Sequence, residues 1–290
     1  MESKVQGLPP RIAAIHDLSC FGRCALTVIL PTLSAMGYQA VPLPTALLST
    51  HTGGFDGLHF RDLTPDMERT TAHFDRLDLS FRAIYTGFLG SAEQIHTVDD
   101  FLDLFGSKPD PSGKRPLILV DPVMGDDGAL YSTYTPALVD GIRKLTDRAH
   151  LITPNFTEAC LLADLPYTDT RTLSEMALEH LLSSVFQKLK RPGQDIVITG
   201  VRTAKQTIKT YCLCDKGSIL STEIPCCRKD YPGTGDLFAS VLLGLLLRGV
   251  SLPDACRETA AFVYRVLSFS AQFETPVRDG LAFEPFLKEL

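Results

Sequence analysis

Tyr231-Pro-Gly-Thr-Gly-Asp-Leu-Phe-Ala-Ser240 is the stretch whose residue types and spacing point most directly to chemistry. Pro232, Gly233 and Gly235 break regular structure and an apolar run to Leu247 follows, so the pattern predicts a Gly-rich turn opening into a buried helix. Backbone N–H groups at a helix N-terminus have no intrahelical partner and lie at the positive end of the dipole. The amides of Gly233, Thr234, Gly235 and Asp236 therefore suit a developing phosphate charge. Asp236 is the unusual residue. The dipole favours a first-turn carboxylate, but that carboxylate repels the same phosphate unless its task is to accept a proton from an attacking hydroxyl. Taken alone, Asp236 is explained equally well as an ordinary first-turn acid.

Other polar groups stand where apolar runs stop. Arg11 to His16 reads as a first strand delivering Asp17 and Ser19 to its carboxyl end, and a helix is expected from about Arg23 to Met36, closed by Gly37. Ala40 to Leu43 is a second short strand. The following segment, Leu48 to Phe55, carries Ser49, Thr50, His51, Thr52 and two glycines. It fits either a small polar ligand or a plain turn. Arg82 to Thr86 reads as a strand ending at Gly87-Phe88, with a helix from Ala92 to Phe105. Leu117 to Val120 is a strand buried on both faces that ends in Asp121. The segment Val123 to Tyr131, with Asp126 and Asp127, is expected as a flexible acidic loop able to open and close over a phosphate ligand. Leu151 to Glu158, carrying Thr153 and Asn155, and Asp195 to Thr199-Gly200 repeat the pattern of a short strand ending in polar residues. Ile208 to Cys214 and Ile219 to Ile224 form a hairpin ahead of the Gly-rich turn. The last helix starts at the capping spacing Ser251 to Asp254 and runs to about Ser270.

Strands alternating with helices argue one α/β domain spanning 1–290 with a largely parallel sheet, its residues 1–10 a loose end. Ligands in such sheets bind outside the strand carboxyl ends, a rule that gathers Asp17, Thr52, Asp121, Asn155, Glu158 and Asp236 toward one crevice. At 290 residues the chain is long enough for a substantial core. A net charge of -6 with interspersed signs leaves no footprint for nucleic acid or an anionic membrane. No apolar segment is long enough to span a bilayer, and a cytoplasmic protein is expected. The eight cysteines are then expected as reduced thiols. Cys212-x-Cys214 and Cys226-Cys227 lack zinc-knuckle spacing and sit in strand-like runs, where cysteine behaves as a small hydrophobe.

No Walker A sequence is present, nor a G-x-G-x-x-G after the first strand. Phosphoryl transfer needs a metal, donors for the transferring group and a residue to deprotonate or orient the nucleophile. Hard oxygen atoms of Asp121, Asn155 and Glu158 suit Mg²⁺, in part through water.

Five ordered blocks, Ser49-Thr-His-Thr-Gly53, Thr86-Gly-Phe-Leu-Gly-Ser-Ala92, Asp121-Pro-Val-Met-Gly125, Thr153-Pro-Asn-x-x-Glu158 and Gly233-Thr-Gly-Asp236, resemble the ribokinase-like superfamily, and within it the pyridoxal kinases of vitamin B6 salvage. The resemblance implies a three-layer α/β/α sandwich and ATP-dependent phosphorylation of the 5′-hydroxymethyl group of pyridoxal, pyridoxamine or pyridoxine. It implies Asp236 as catalytic base and the amides of Gly233, Thr234 and Gly235 as anion hole. Asn155 and Glu158 match an Asn-x-x-Glu motif for Mg²⁺ and phosphate. Asp121, Asp126, Tyr131, Thr153, Thr199 and Gly200 fall where such enzymes meet nucleotide, and Asp17, Ser49, His51, Thr52 and Phe88 fall on the substrate side. Members are commonly homodimers and often use K⁺. Asp17 stands where many members have serine, and Phe88 where many have tyrosine. Asp17, Gly22 and Leu33 to Gly37 also resemble the hydroxymethylpyrimidine kinases of thiamine synthesis, the alternative reading. A non-catalytic ligand-binding relative is the remoter one.

Overall fold

The computed structural model describes residues 8–131, 134–213, 217–227 and 229–290. Most of residues 1–10, together with Cys214, Asp215 and Lys216, lie outside them. The elements in chain order are β1 (Arg11–Phe21), α1 (Leu26–Ala35), β2 (Gln39–Thr50), β3 (Phe60–Asp62), α2 (Thr64–Arg76), β4 (Ala83–Thr86), α3 (Ala92–Phe105) and β5 (Leu117–Val120). They continue as β6 (Gly125–Asp126), β7 (Ala129–Leu130), α4 (Pro136–Thr146), β8 (Leu151–Ile152), α5 (Phe156–Ala163), α6 (Glu175–Leu189) and β9 (Asp195–Arg202). Then come β10 (Thr207–Leu213), β11 (Ile219–Pro225), α7 (Thr234–Leu247) and α8 (Leu252–Ser270).

One sheet has the order β11-β10-β9-β8-β5-β4-β1-β2-β3. From β9 to β2 every neighbouring pair is parallel, whereas β10, β11 and β3 are antiparallel additions at the edges. Alternation along each strand splits the core between the two faces. Ala13, Ile15, Ile84, Val120 and Ile198 pack with α2 to α6 on one side. Ile12, Ala14, Tyr85, Leu119 and Val197 pack with α1, α7 and α8 on the other. The expected α/β/α sandwich with a largely parallel sheet is what forms.

The chain order reverses between β1 and β4, the topological switch where a ligand crevice opens. β1 is longer than its sequence pattern suggests. Its pairing with β4 ends at Ile15 opposite Thr86, while pairing with β2 continues to Phe21 opposite Thr50 after a register shift between His16 and Leu18. Asp17 and Ser19 thus lie inside a strand, yet beyond the end of its neighbour. β2 likewise runs through Leu48, Ser49 and Thr50, which sequence patterning assigns to a turn.

The Val123 to Tyr131 segment, expected as a loop, contains a short hairpin. Gly125 and Asp126 pair antiparallel with Leu130 and Ala129, and the connecting Asp127 (φ 45°) and Gly128 (φ 80°) are both left-handed, the backbone of a two-residue hairpin turn. Asp-Gly is the sequence signal for that turn. Cys212 is buried within β10 and Cys226 and Cys227 are half-buried past β11. Among the described residues no group of three or more His, Cys, Asp or Glu is placed to hold a metal.

Candidate active site

A cavity of about 610 Å³ opens over the carboxyl ends of the parallel strands. Of the residues marked from sequence, Asp17, His51, Thr52, Phe88, Asp121, Asp126, Tyr131, Thr153, Asn155, Glu158, Thr199, Gly200 and Gly233 to Asp236 all line it. Ser49 does not. Its Oγ accepts the His59 N–H at 3.0 Å and its own N–H donates to His59 O at 3.0 Å, so the residue splices the approach to β3 onto β2.

Gly233 is the N-cap of α7, with φ 79°. A side-chain carbon there would lie 2.0 Å from the Arg23 carbonyl oxygen, so both conformation and space demand glycine. Thr234 Oγ1 donates to Tyr231 O at 2.7 Å and closes the turn. Asp236 sits in the first turn of α7 and accepts the N–H of Ala25, the N-cap of α1, at 2.8 Å on Oδ2. Two helix N-termini therefore converge on one carboxylate, with cavity-facing surface left over. Ala25 has φ 47°, an uncommon backbone for a residue with a side chain, and this local arrangement is invisible in sequence.

Carboxylates accumulate around this point. Asp121 is buried, its Oδ1 accepting the Thr153 hydroxyl at 3.1 Å; burial and then the Asp236 charge push its carboxyl up to about 8. Asp17 accepts the Ser19 hydroxyl at 2.8 Å and is pushed up to about 7, mainly by burial and further by Asp236. Burial raises Asp236 itself, against the Ala25 N–H, which stabilises its charged form. Glu158 is raised well above the usual range by burial and then by Asp121. A buried, like-charged set of hard oxygen donors is what a divalent cation relieves, so Asp121 and Glu158 fit Mg²⁺ chemically.

Asn155 has a defined structural task. It caps α5, its Oδ1 accepting the Glu158 N–H at 2.9 Å, while Glu158 returns Oε2 to the Asn155 N–H at 2.8 Å and Oε1 to the Met124 N–H at 3.0 Å. Asn155 Nδ2 donates to Gly125 O at 2.8 Å, so the same two side chains anchor the hairpin that carries Asp126 and leads into Tyr131. The hairpin tip is tied as well: Gly128 N–H donates to Thr157 Oγ1 at 2.9 Å. Thr199 donates its N–H to Pro154 O at 2.9 Å and pairs as a parallel bridge with Asn155, which brings Gly200 (φ 69°) to the rim.

On the other flank, His51 places its ring between Arg278 O and the Gly53 N–H, and Phe88 is edge-on to Tyr134 at 6.2 Å. Sequence reading overlooks His16. Its imidazole is fully buried at the cavity wall, edge-on to Tyr85 at 4.2 Å, and among the described residues neither ring nitrogen meets a hydrogen-bond partner of normal geometry. Burial lowers it to about 3, so it is neutral. Gly87 leaves room for that ring: a side-chain carbon there would lie 2.3 Å from His16 Cε1. Lys229 lines the rim, with Nζ donating to Phe273 O at 3.3 Å.

The profile of the phosphomethylpyrimidine kinase family matches residues 12–278. A Bacteroides thetaiotaomicron structure assigned to phosphomethylpyrimidine kinase and solved with pyridoxal superposes with TM-score 0.86 at 37% identity, covering 97% of this chain and 95% of that one. Pyridoxal kinase from Lactobacillus plantarum superposes with TM-score 0.85 at 32% identity, covering 97% and 96%. The pyridoxine/pyridoxal/pyridoxamine kinase of Bordetella avium is 27% identical over 92% of this chain and 90% of its own length. The chain, a kinase by its relatives, belongs to the phosphomethylpyrimidine kinase family.

Proposed function

We propose that the protein transfers the γ-phosphoryl group of ATP to the 5′-hydroxymethyl group of pyridoxal, pyridoxamine or pyridoxine, within one kinase domain. One observation carries the reading: a half-buried carboxylate, Asp236, held by the Ala25 N–H beside the left-handed turn at Gly233, on the wall of the large cavity. Asp236 accepts the proton of the attacking hydroxyl, and its raised affinity for protons suits that task. The amides of Gly233, Thr234 and Gly235 receive the charge that builds on the transferring group. Asp121 and Glu158 would hold Mg²⁺, which neutralises the polyphosphate when bound, with Asn155 keeping Glu158 in register. Asp126, Tyr131, Thr153, Thr199 and Gly200 flank the nucleotide, and Asp17, His51, Thr52 and Phe88 the acceptor ring. The resemblance further implies a homodimer assisted by K⁺. Among the described residues no helix is long and apolar enough to cross a membrane.

The family match supports a second acceptor, hydroxymethylpyrimidine, another flat heteroaromatic ring bearing a primary alcohol. The same base and anion hole serve either. Steady-state assays with ATP and each of pyridoxal, pyridoxamine, pyridoxine and hydroxymethylpyrimidine decide between them. A higher kcat/KM for a B6 vitamer is expected, and a higher value for hydroxymethylpyrimidine overturns the assignment.

A further inference from the structure

The acceptor side of the cavity is held from the far end of the chain. His51, Thr52 and Gly53 form part of its lining. His51 spends both ring nitrogens on main chain: Nδ1 accepts the Gly53 N–H at 3.1 Å, which leaves Nε2 to donate to Arg278 O at 2.6 Å. Arg278 reaches back with its side chain, Nη1 donating to Gly54 O at 2.9 Å across 224 residues of sequence. Its guanidinium lies 5.0 Å from the centre of the Phe55 ring, which in turn meets His51 edge-on at 5.0 Å. The turn bearing Arg278 is itself tied to the stretch after β1. Arg23 donates its N–H to Asp279 O at 3.3 Å, forms a parallel bridge with Gly280 and pairs through Nε with Glu284 at 2.5 Å. Gly22 completes the seat, since a side-chain carbon there would lie 2.6 Å from His51 Cδ2.

We propose that Arg278 is a positioning residue for the acceptor alcohol, fixing the His51 to Phe55 segment so that its ordering is not charged to each binding event; this rests on reading the cavity as an alcohol-kinase site. A segment containing two adjacent glycines loses much conformational freedom when it is ordered, and a clamp applied before binding removes that cost from the acceptor's affinity. The nucleotide side is built from α5, β9 and the β6–β7 hairpin, to which the clamp makes no hydrogen bond.

The test uses the full chain with Arg278→Ala, Arg278→Lys, Phe55→Leu and the double variant Phe55→Leu/Arg278→Ala. Losing one hydrogen bond and one cation–π contact is expected to raise KM for pyridoxal about fivefold to twentyfold, with kcat and KM for ATP within about twofold. Arg278→Lys, which keeps a donor for Gly54 O, recovers part of the loss, and the double variant costs less than the sum of the singles. Hydrogen exchange gives a readout independent of substrate: the amides of Gly53 to Phe55 exchange faster in Arg278→Ala, while those of Gly235 to Leu237 do not. An unchanged KM for pyridoxal, or KM for ATP rising in step with it, overturns the proposal. Should the wild-type protein phosphorylate no B6 vitamer, the functional reading above falls, and the exchange rates alone decide the clamp, unchanged protection at Gly53 to Phe55 overturning it.

Discussion

Gly233 and Gly235 belong to one short motif, yet the structure assigns them opposite sensitivities to the same substitution. In Gly233→Ala the new carbon would start 2.0 Å from the Arg23 carbonyl oxygen, and such contacts essentially never close below 3.0 Å. The backbone must therefore open by at least 1.0 Å (3.0 minus 2.0) against an atom that no rotamer change can move. Overpacking of this kind costs about 1–3 kcal/mol, and holding alanine at positive φ adds about 1–2 kcal/mol. Gly233→Ala is thus expected to lose about 2–5 kcal/mol of stability. The displaced stretch runs directly into Ala25, whose N–H holds Asp236 at 2.8 Å. A shift of about 1 Å at that contact is expected to lower kcat about a hundredfold. Gly235, by contrast, has no heavy atom within 4 Å of the corresponding position and sits in the first turn of α7. Gly235→Ala should gain up to about 1 kcal/mol from helix propensity alone. Urea unfolding of both variants, with steady-state kinetics alongside, makes the comparison. A Gly233→Ala protein as stable as Gly235→Ala, with wild-type kcat, would refute the reasoning.

Two pH effects follow from the buried acids. Asp236 must be ionised to accept a proton and burial raises it, so kcat/KM should rise with pH along a limb lying above the ordinary carboxylate value of 3.8; a pH 4–9 profile with no rising limb contradicts the assignment. Asp17 is raised to about 7, so between its unfolded value and 7 the folded protein binds the extra proton and loses stability as pH increases. Asp17→Asn, which cannot ionise, should match the wild type near pH 4 and exceed it by on the order of a few kcal/mol at pH 8 in denaturant titrations; a difference that does not grow with pH rules this out.

Much of this was legible in the sequence, because the parallel strands are short apolar runs that stop at polar residues, and the rule about strand carboxyl ends then collects those residues. Asp17, Asp121, Asn155 and Asp236 come together from β1, β5, α5 and α7 for that reason. What stayed hidden depends on partners remote in sequence. Ser49 looks like a ligand group until β3 pairs with β2 and the N–H of His59, just before β3, takes its hydroxyl. The 123–131 segment reads as loop because its strands are only two residues each, although Asp127-Gly128 carries the turn signal. His16 looks like one more polar residue at a strand end, and only the Tyr85 ring and the space left by Gly87 show where its imidazole goes. The helices α2, α4 and α6 went unmarked, since they carry no motif and position the site only through the core beneath it.

The central claim is that Asp236 is the base, and Asp236→Asn tests it most directly. Asparagine keeps an oxygen for the Ala25 N–H, so the two helix entrances should stay in place. Measured side by side, the nucleotide dissociation constant is expected to stay within about threefold while kcat falls about 10²- to 10⁴-fold. Turnover close to wild type, or nucleotide affinity lost in parallel with turnover, would contradict the account.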